Sequence, residues 1–265
     1  LHMRFRRQRQ MCIRDSSSYD NALDDHINLI LSQNFINKSN IASKSIAVAV
    51  DGINSVGGVA IPKFLESLGI KKIKKINCNP DGNFNHNPEP LPENITDLCS
   101  EVKRGKYQLG IVVDPDADRL VLVDERGEPF GEEYTLVAAA EYLLSKNHGA
   151  STCSNLSSTL ALKNITEKYG GKYFSSAVGE INVVQVMKEK KCLIGGEGNA
   201  GDIYPMTHYG RDSLIGIGLI TSLLVERNIS LSELKKELPE YNIFKTKLNY
   251  KGEISSIISL SLIHI

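Results

Sequence analysis

Three aspartates alternate between two short apolar runs. Asp114, Asp116 and Asp118 follow Leu109-Gly110-Ile111-Val112-Val113 and precede Arg119 and Leu120-Val121-Leu122-Val123. Carboxylates crowded on one turn repel one another, and a hard divalent cation among their oxygens relieves that repulsion. The β-branched flanks predict strand, tight acidic turn, strand. Counted as a calcium loop, the three aspartates take the first, third and fifth positions and Glu125 the twelfth. The sixth position is Arg119, where an EF-hand needs glycine, and strands rather than helices flank the turn. A solvated acidic turn at a strand end is the bland alternative to a metal site.

A second constellation is Gly195-Gly196-Glu197-Gly198-Asn199-Ala200-Gly201. Its glycines let the backbone come close to a ligand, and Glu197 and Asn199 supply hydrogen-bonding groups. The run also satisfies the dinucleotide spacing G-x-G-x-x-G after a predicted strand. Pro205 stands where the helix of such a site would be running, so a Rossmann dehydrogenase fails there.

In order and spacing these residues resemble the loops of the α-D-phosphohexomutases, enzymes that move a phosphoryl group between two hydroxyls of a hexose. Asp-x-Asp-x-Asp-Arg is similar to the family's metal loop. The glycine-rich run, with Ile203-Tyr204-Pro205 and His208-Tyr209-Gly210-Arg211-Asp212, is similar to its sugar-binding loop. Ala177-Val178-Gly179-Glu180-Ile181-Asn182-Val183-Val184 resembles the other substrate segment of the third domain. The likeness runs from about residue 41 to about residue 249, and includes Val50-Asp51-Gly52-Ile53-Asn54 with Gly57-Gly58, and Asn79-Pro80-Asp81-Gly82-Asn83-Phe84. Among the family's branches it is most like phosphoglucosamine mutase, while phosphomannomutase and phosphoglucomutase relatives share these loops.

The resemblance implies that Asp114, Asp116 and Asp118 each give one oxygen to Mg²⁺, at about 2.0 to 2.1 Å. It implies a catalytic Arg119 steadying the transferred phosphoryl group, with an ion pair to the neighbouring aspartates as its structural alternative. Glu180, Glu197, Gly198 and Asn199 would bind the hexose phosphate, and capping of a helix start is a second role for Glu180. Some members carry a histidine at the position of Gly201, so acid/base duty assigned there has no carrier in this chain. His208 reads as a packed or hydrogen-bonded histidine, Asp212 as a helix cap and Tyr204 as core.

The family's nucleophile lies in a Thr-Ala-Ser-His-Asn-Pro-like loop, and the sequence contains no such segment. Asn85-His86-Asn87-Pro88 mimics its tail, with Asn85 where the serine must be. The resemblance therefore implies the middle two domains of an intramolecular phosphotransferase, an isomerase, that moves phosphate between the 6- and 1-positions of a hexose. Its partners would be the hexose phosphate and the flanking domains of the same enzyme, and this chain alone is expected to be inactive. The rival class is a non-catalytic module binding Mg²⁺ or a sugar phosphate.

At 265 residues the chain has room for one or two domains, each with its own core. Its 31 basic and 31 acidic residues leave no net field to draw nucleic acid or an anionic membrane. No apolar run approaches the ~20 residues of a membrane span. Five scattered cysteines, none in Cys-x-x-Cys, suit reduced thiols and a cytoplasmic location. The arginine-rich start, 1–16, and the apolar end, 257–265, lie outside the likeness.

The elements that must position the loops follow from periodicity. Helices are predicted over 19–32, 59–68, 95–103, 133–145, from 157, from 181, and over 211–226, the last apolar on one face. Strands are predicted over 45–50, 73–76, 108–113, 151–155, 172–174 and 192–194. Strand and helix alternate, so the expected class is α/β: two similar βα-alternating domains with mixed, largely parallel sheets. The expected divisions are a non-family terminus with a lead-in helix at 1–40, a metal-loop domain at 41–147, a sugar-loop domain at 148–250 and a tail at 251–265. Sheets of this kind place ligands beyond the carboxyl ends of their strands, where the acidic loop falls.

Overall fold

The apolar runs 47–51 and 109–113 are buried at every residue, as parallel strands covered on both faces require. The computed structural model of the chain describes residues 18–241, so both atypical ends lie outside the described residues. Two lead-in helices, α1 (Ala22–Leu31) and α2 (Lys38–Ser43), precede the first sheet. That sheet is built from β1 (Ala47–Asp51), α3 (Gly57–Ser67), β2 (Lys72–Ile76), α4 (Thr96–Gly105), β3 (Leu109–Val113) and β4 (Leu120–Val123). Its strand order is β2-β1-β3-β4, parallel except for β4, which runs antiparallel to β3. The outer strand β2 keeps Lys72, Lys74 and Lys75 exposed, which discourages pairing with another chain.

Helix α5 (Glu132–Lys146) leads to a second sheet: β5 (Thr152–Asn155), α6 (Ala161–Lys168), β6 (Tyr173–Ser176), α7 (Glu180–Lys190), β7 (Ile194–Glu197) and β8 (Gly201–Ile203). The order β6-β5-β7-β8, with β8 antiparallel to β7, repeats the first sheet strand for strand. The expected pair of similar, mixed and largely parallel units is what the structure shows. Because the topologies coincide, the acidic loop between β3 and β4 and the Gly198-Asn199-Ala200 turn between β7 and β8 are the same connection in the two units.

The chain ends its described part with α8 (Ser213–Arg227) and α9 (Leu231–Glu237). The sequence reading of α8 as apolar on one face needs correction. Ile215, Ile217, Leu219, Ile220 and Leu223 are each fully buried, and they point to different sides of the helix. A helix apolar all round is one enclosed by its neighbours. Here those neighbours are α1, α2, α5, β4 and β8, from both units. Each such side chain contributes about 2 kcal/mol of burial. The main apolar cluster accordingly runs without a break from Ile27, Val48 and Ile111 to Leu162, Ile194 and Tyr204, rather than forming one core per unit.

Two α-helices, one strand and a short 3-10 turn were not anticipated: α2, α9, β8 and Pro92–Asn94. Helix α9 carries a capping box, with Ser230 and Glu233 bonding each other's backbone amides. Among the described residues no single helix is long and apolar enough to cross a membrane. Cys78, Cys99, Cys153 and Cys192 carry free thiols.

Candidate active site

The acidic loop begins where β3 stops. Asp114 turns its carboxylate back over the loop, and its Oδ1 accepts the amides of Asp118 and Arg119, both at 3.1 Å. Ala117 takes a left-handed conformation, φ 57°, which tightens the turn. Two hydroxyls clamp the loop from outside. Ser55 donates to the Pro115 carbonyl at 2.6 Å, and Ser213, the first residue of α8, donates to the Ala117 carbonyl at 2.6 Å.

So held, Asp114, Asp116 and Asp118 bring one oxygen each within 4.8 Å of the others. At that spacing each ionised pair costs about 3 kcal/mol for an effective dielectric constant of ~20. Asp114 is buried, Asp118 half-buried and Asp116 exposed. Burial, and after it the charges of Asp118 and Asp116, push Asp114 up to about 6 against the amide bond from Arg119. Burial also raises Asp118, opposed by the Arg211 charge. Asp118 Oδ1 is buried without a hydrogen-bond partner. Converging carboxylates, an orphaned oxygen and an acid held above its usual range form a donor set that fits a hard divalent cation. Arg119 lies beside it, with Nε 3.4 Å from Asp114 Oδ2 and that Nε without a hydrogen-bond partner.

The second unit meets this loop through its backbone and one side chain. The Leu120 amide donates to the Ala200 carbonyl at 2.7 Å, joining the two equivalent turns. Arg211 then reaches three carboxylates. Its Nη2 lies on Asp118 Oδ2, its Nε is 3.2 Å from Glu180 Oε2 and its Nη1 3.4 Å from Glu197 Oε2. Its amide also donates to Glu180 Oε1 at 3.3 Å. The sequence placed Arg211 only beside the loop. Its bridging role is the part of the site that spacing did not disclose, although a lone arginine next to three loops rich in acids is a usable signal.

Glu197 is 7% exposed. Its Oε1 accepts from Asn155 Nδ2 at 2.8 Å and from the Gly179 amide at 3.1 Å, and its Oε2 faces Arg211. The carboxylate thus ties the glycine-rich run to the 177–184 segment inside the protein. Asn199 is half-buried, and its Oδ1 has no partner. At Gly198 a Cβ would lie 2.2 Å from a carboxylate oxygen of Glu133, so any side chain there would have to displace that carboxylate. Glu180 opens α7 and spends its carboxylate on Arg211 rather than on the amides of its own helix.

Gly201 and Arg211 form a matched pair, because a Cβ on Gly201 would lie 2.2 Å from Arg211 Cδ. The arginine stem fills the space a side chain at 201 would take. Asp212 caps α8 through Oδ1, which accepts from the Leu214 amide at 2.9 Å and the Ile215 amide at 3.4 Å, and Tyr204 is core at 2% exposure. His86, in the nucleophile-like segment, binds Asp51 Oδ2 at 3.1 Å. A separate cleft lined by Lys44, Leu109, Glu125, Leu224 and Leu231 includes no residue of either loop.

Similarity to known proteins agrees with this arrangement. Residues 24–127 match the family model described as phosphoglucomutase/phosphomannomutase, alpha/beta/alpha domain II, and residues 131–241 match that of domain III. A Thermococcus kodakarensis protein named phosphoglucomutase/phosphomannomutase is 33% identical over 213 residues, covering 80% of this chain and 46% of that protein. A phosphoglucosamine/phosphogalactosamine mutase of Sulfurisphaera tokodaii is 31% identical over 235 residues, covering 88% of this chain and 51% of that protein. The crystal structure of a phosphoglucomutase/phosphomannomutase family protein from Burkholderia thailandensis superposes with a TM-score of 0.72 at 25% identity, covering 84% of this chain and 48% of that one. The chain thus spans about half the length of the curated relatives it matches. With the second and third domain models falling in order on its two repeated sheets, the chain belongs to the phosphoglucomutase/phosphomannomutase family.

Proposed function

We propose that the chain supplies the metal loop and the sugar loops of a Mg²⁺-dependent phosphohexomutase that moves phosphate between the 6- and 1-positions of a hexose phosphate, with phosphoglucosamine mutase as the specific activity. The observation that carries this reading is the Arg211 bridge from Asp118 to Glu180 and Glu197, which sets a cation-binding turn beside a polar, glycine-lined one. The Sulfurisphaera tokodaii relative supports the amino-sugar reading. The Thermococcus kodakarensis relative supports a second one, glucose or mannose phosphates.

Asp114, Asp116 and Asp118 would hold Mg²⁺, which when bound neutralises charge on the migrating phosphoryl group. Arg119, half-buried beside Asp114 with an unsatisfied Nε, would donate to phosphoryl oxygens. Asn199 would turn its unpaired Oδ1 to a sugar hydroxyl, with Glu180 as a second contact. Glu197, which accepts the Gly179 amide, and the Gly198 backbone would contact the sugar beside them. The phosphate carrier and the distal phosphate site belong to flanking domains of the parent enzyme, in the cytoplasm.

The test is steady-state turnover of the parent enzyme on glucosamine, mannose and glucose phosphates, together with calorimetric titration of Mg²⁺ into this chain and its Asp116→Asn variant. Highest kcat/KM on glucosamine phosphate and a loss of Mg²⁺ heat in the variant are expected. Equal heats from the two proteins would remove the metal assignment, and a preference for glucose or mannose would move the specific activity to the second reading.

A further inference from the structure

A second set of metal-ligating side chains lies away from the acidic loop. His26 sits in α1, while His208 and Asp212 lie 182 and 186 positions later in the chain, just before α8. Both imidazoles aim Nε2 at the same carboxylate oxygen, Asp212 Oδ2, at 2.9 Å from His26 and 3.3 Å from His208. The ring centroids are 5.3 Å apart and tilted by 49°, so the rings converge on one point rather than stack. All three ligand atoms fall within 4.8 Å of one another.

These separations are close to what a small tetrahedral ion demands. Bonds of about 2.0 to 2.1 Å place neighbouring ligand atoms roughly 3.3 Å apart. Two imidazole nitrogens and one carboxylate oxygen suit Zn²⁺ or a similar transition metal, and do not suit Mg²⁺, which prefers an all-oxygen shell. The third ligand is already oriented. Asp212 gives Oδ1 to the first amides of α8 and so leaves Oδ2 for the histidines, the kind of outer hydrogen bonding that fixes metal ligands. Side-chain exposures of 26% for His26 and 42% for His208 leave a path for the ion and for a water as fourth ligand.

We infer that His26, His208 and Asp212 form a binding site for a transition-metal cation of the zinc class, which pins α1 to the N-terminus of α8 next to Arg211. The site uses no residue of the acidic loop, and it binds its ion whether or not that loop binds Mg²⁺.

The experiment titrates Zn²⁺, and separately Co²⁺, into the 265-residue chain, its Asp116→Asn variant, His26→Gln and His208→Gln, with excess Mg²⁺ present. One equivalent of Zn²⁺ is expected to bind the wild type and Asp116→Asn alike, and to raise their melting temperature. Each histidine variant is expected to lose about tenfold or more in affinity. The Co²⁺ complex is expected to show visible bands of tetrahedral nitrogen and oxygen ligation without the near-ultraviolet band of a thiolate, a readout that needs no variant to fold. Unchanged Zn²⁺ affinity in both histidine variants, a thiolate spectrum, or binding lost in Asp116→Asn but kept in the histidine variants would each overturn the inference.

Discussion

The guanidinium of Arg211 rests on the carboxylate of Asp118, 93 positions away in sequence and in the other sheet unit. The contact uses Asp118 Oδ2 and leaves Oδ1 free, so one aspartate can face a cation and an arginine at once. Lysine does not repeat this geometry, because its donors share one nitrogen whereas Arg211 meets the three carboxylates from three separate nitrogens. In the parent enzyme Arg211→Lys is expected to lower kcat/KM by about tenfold or more, roughly 1.4 kcal/mol of transition-state stabilisation. Steady-state kinetics decide it, and an unchanged kcat/KM would show the bridge to be ornamental.

The pairing of Gly201 with Arg211 predicts coupled stabilities. The backbone at 201 tolerates alanine, and the obstacle is the arginine stem. Gly201→Ala is expected to destabilise the chain by about 1 to 2 kcal/mol. In an Arg211→Ala background the same change is expected to be close to neutral. Urea unfolding of the four proteins gives the coupling energy, and additive effects would show that the two residues do not share that space.

Separation of duty between the loops predicts different kinetic signatures in the parent. Arg119→Lys is expected to act largely through kcat, since in the proposed function it would face charge that develops on the phosphoryl group. Asn199→Ala is expected to act largely through KM and the choice between epimeric sugars. Equal losses in both parameters for both variants would mean that the loops work as one unit.

The 265-residue polypeptide assayed alone is expected to show no mutase activity on any hexose phosphate, and joining the flanking domains in one chain to restore it. Turnover by the isolated polypeptide, abolished by Asp114→Asn, would require a phosphate carrier among its own residues.

Glu141 gives a pH dependence with a definite sign. It is 2% exposed in α5 and binds Tyr169 at 2.7 Å, Arg227 at 2.9 Å and Lys168 at 3.3 Å. Burial alone would raise its pKa, but these partners outweigh burial and hold it below the usual carboxylate range. A lowered folded pKa gives stability that is complete above the unfolded value and is lost as pH falls through the folded one. Glu141→Gln is therefore expected to cost roughly 3 kcal/mol near neutrality, with the difference closing in acid. Thermal unfolding across that range checks it, and a gap independent of pH would refute the ionic origin.

The strands and the acidic loop were legible because their signals are local. Apolar β-branched runs name β1 and β3, and alternating aspartates name the turn between β3 and β4. What was missed depends on partners distant in sequence. The strand β8 is Gly-Asp-Ile, with no alternation to mark it, and exists because β7 lies alongside. The enclosure of α8 could not be read from its own residues, since a buried helix and a one-faced helix differ in what surrounds them. Glu197 is legible as a hydrogen-bonding group, but its engagement by Asn155, Gly179 and Arg211 is not, because those partners come from three separate segments. The helix α9 is different, for its signal is local: Ser230-Leu231-Ser232-Glu233 is a capping box.

The unbroken apolar cluster around α8 bears on how the molecule can fail. Removing that helix would strip cover from β4 and β8 together, so heat or denaturant has no route to melt the acidic turn while sparing the glycine-lined one. The boundary between the two sheets is thus a punctuation mark in sequence but not a fracture line in the solid, and a destabilising change deep in either half is registered at both turns in a single cooperative transition.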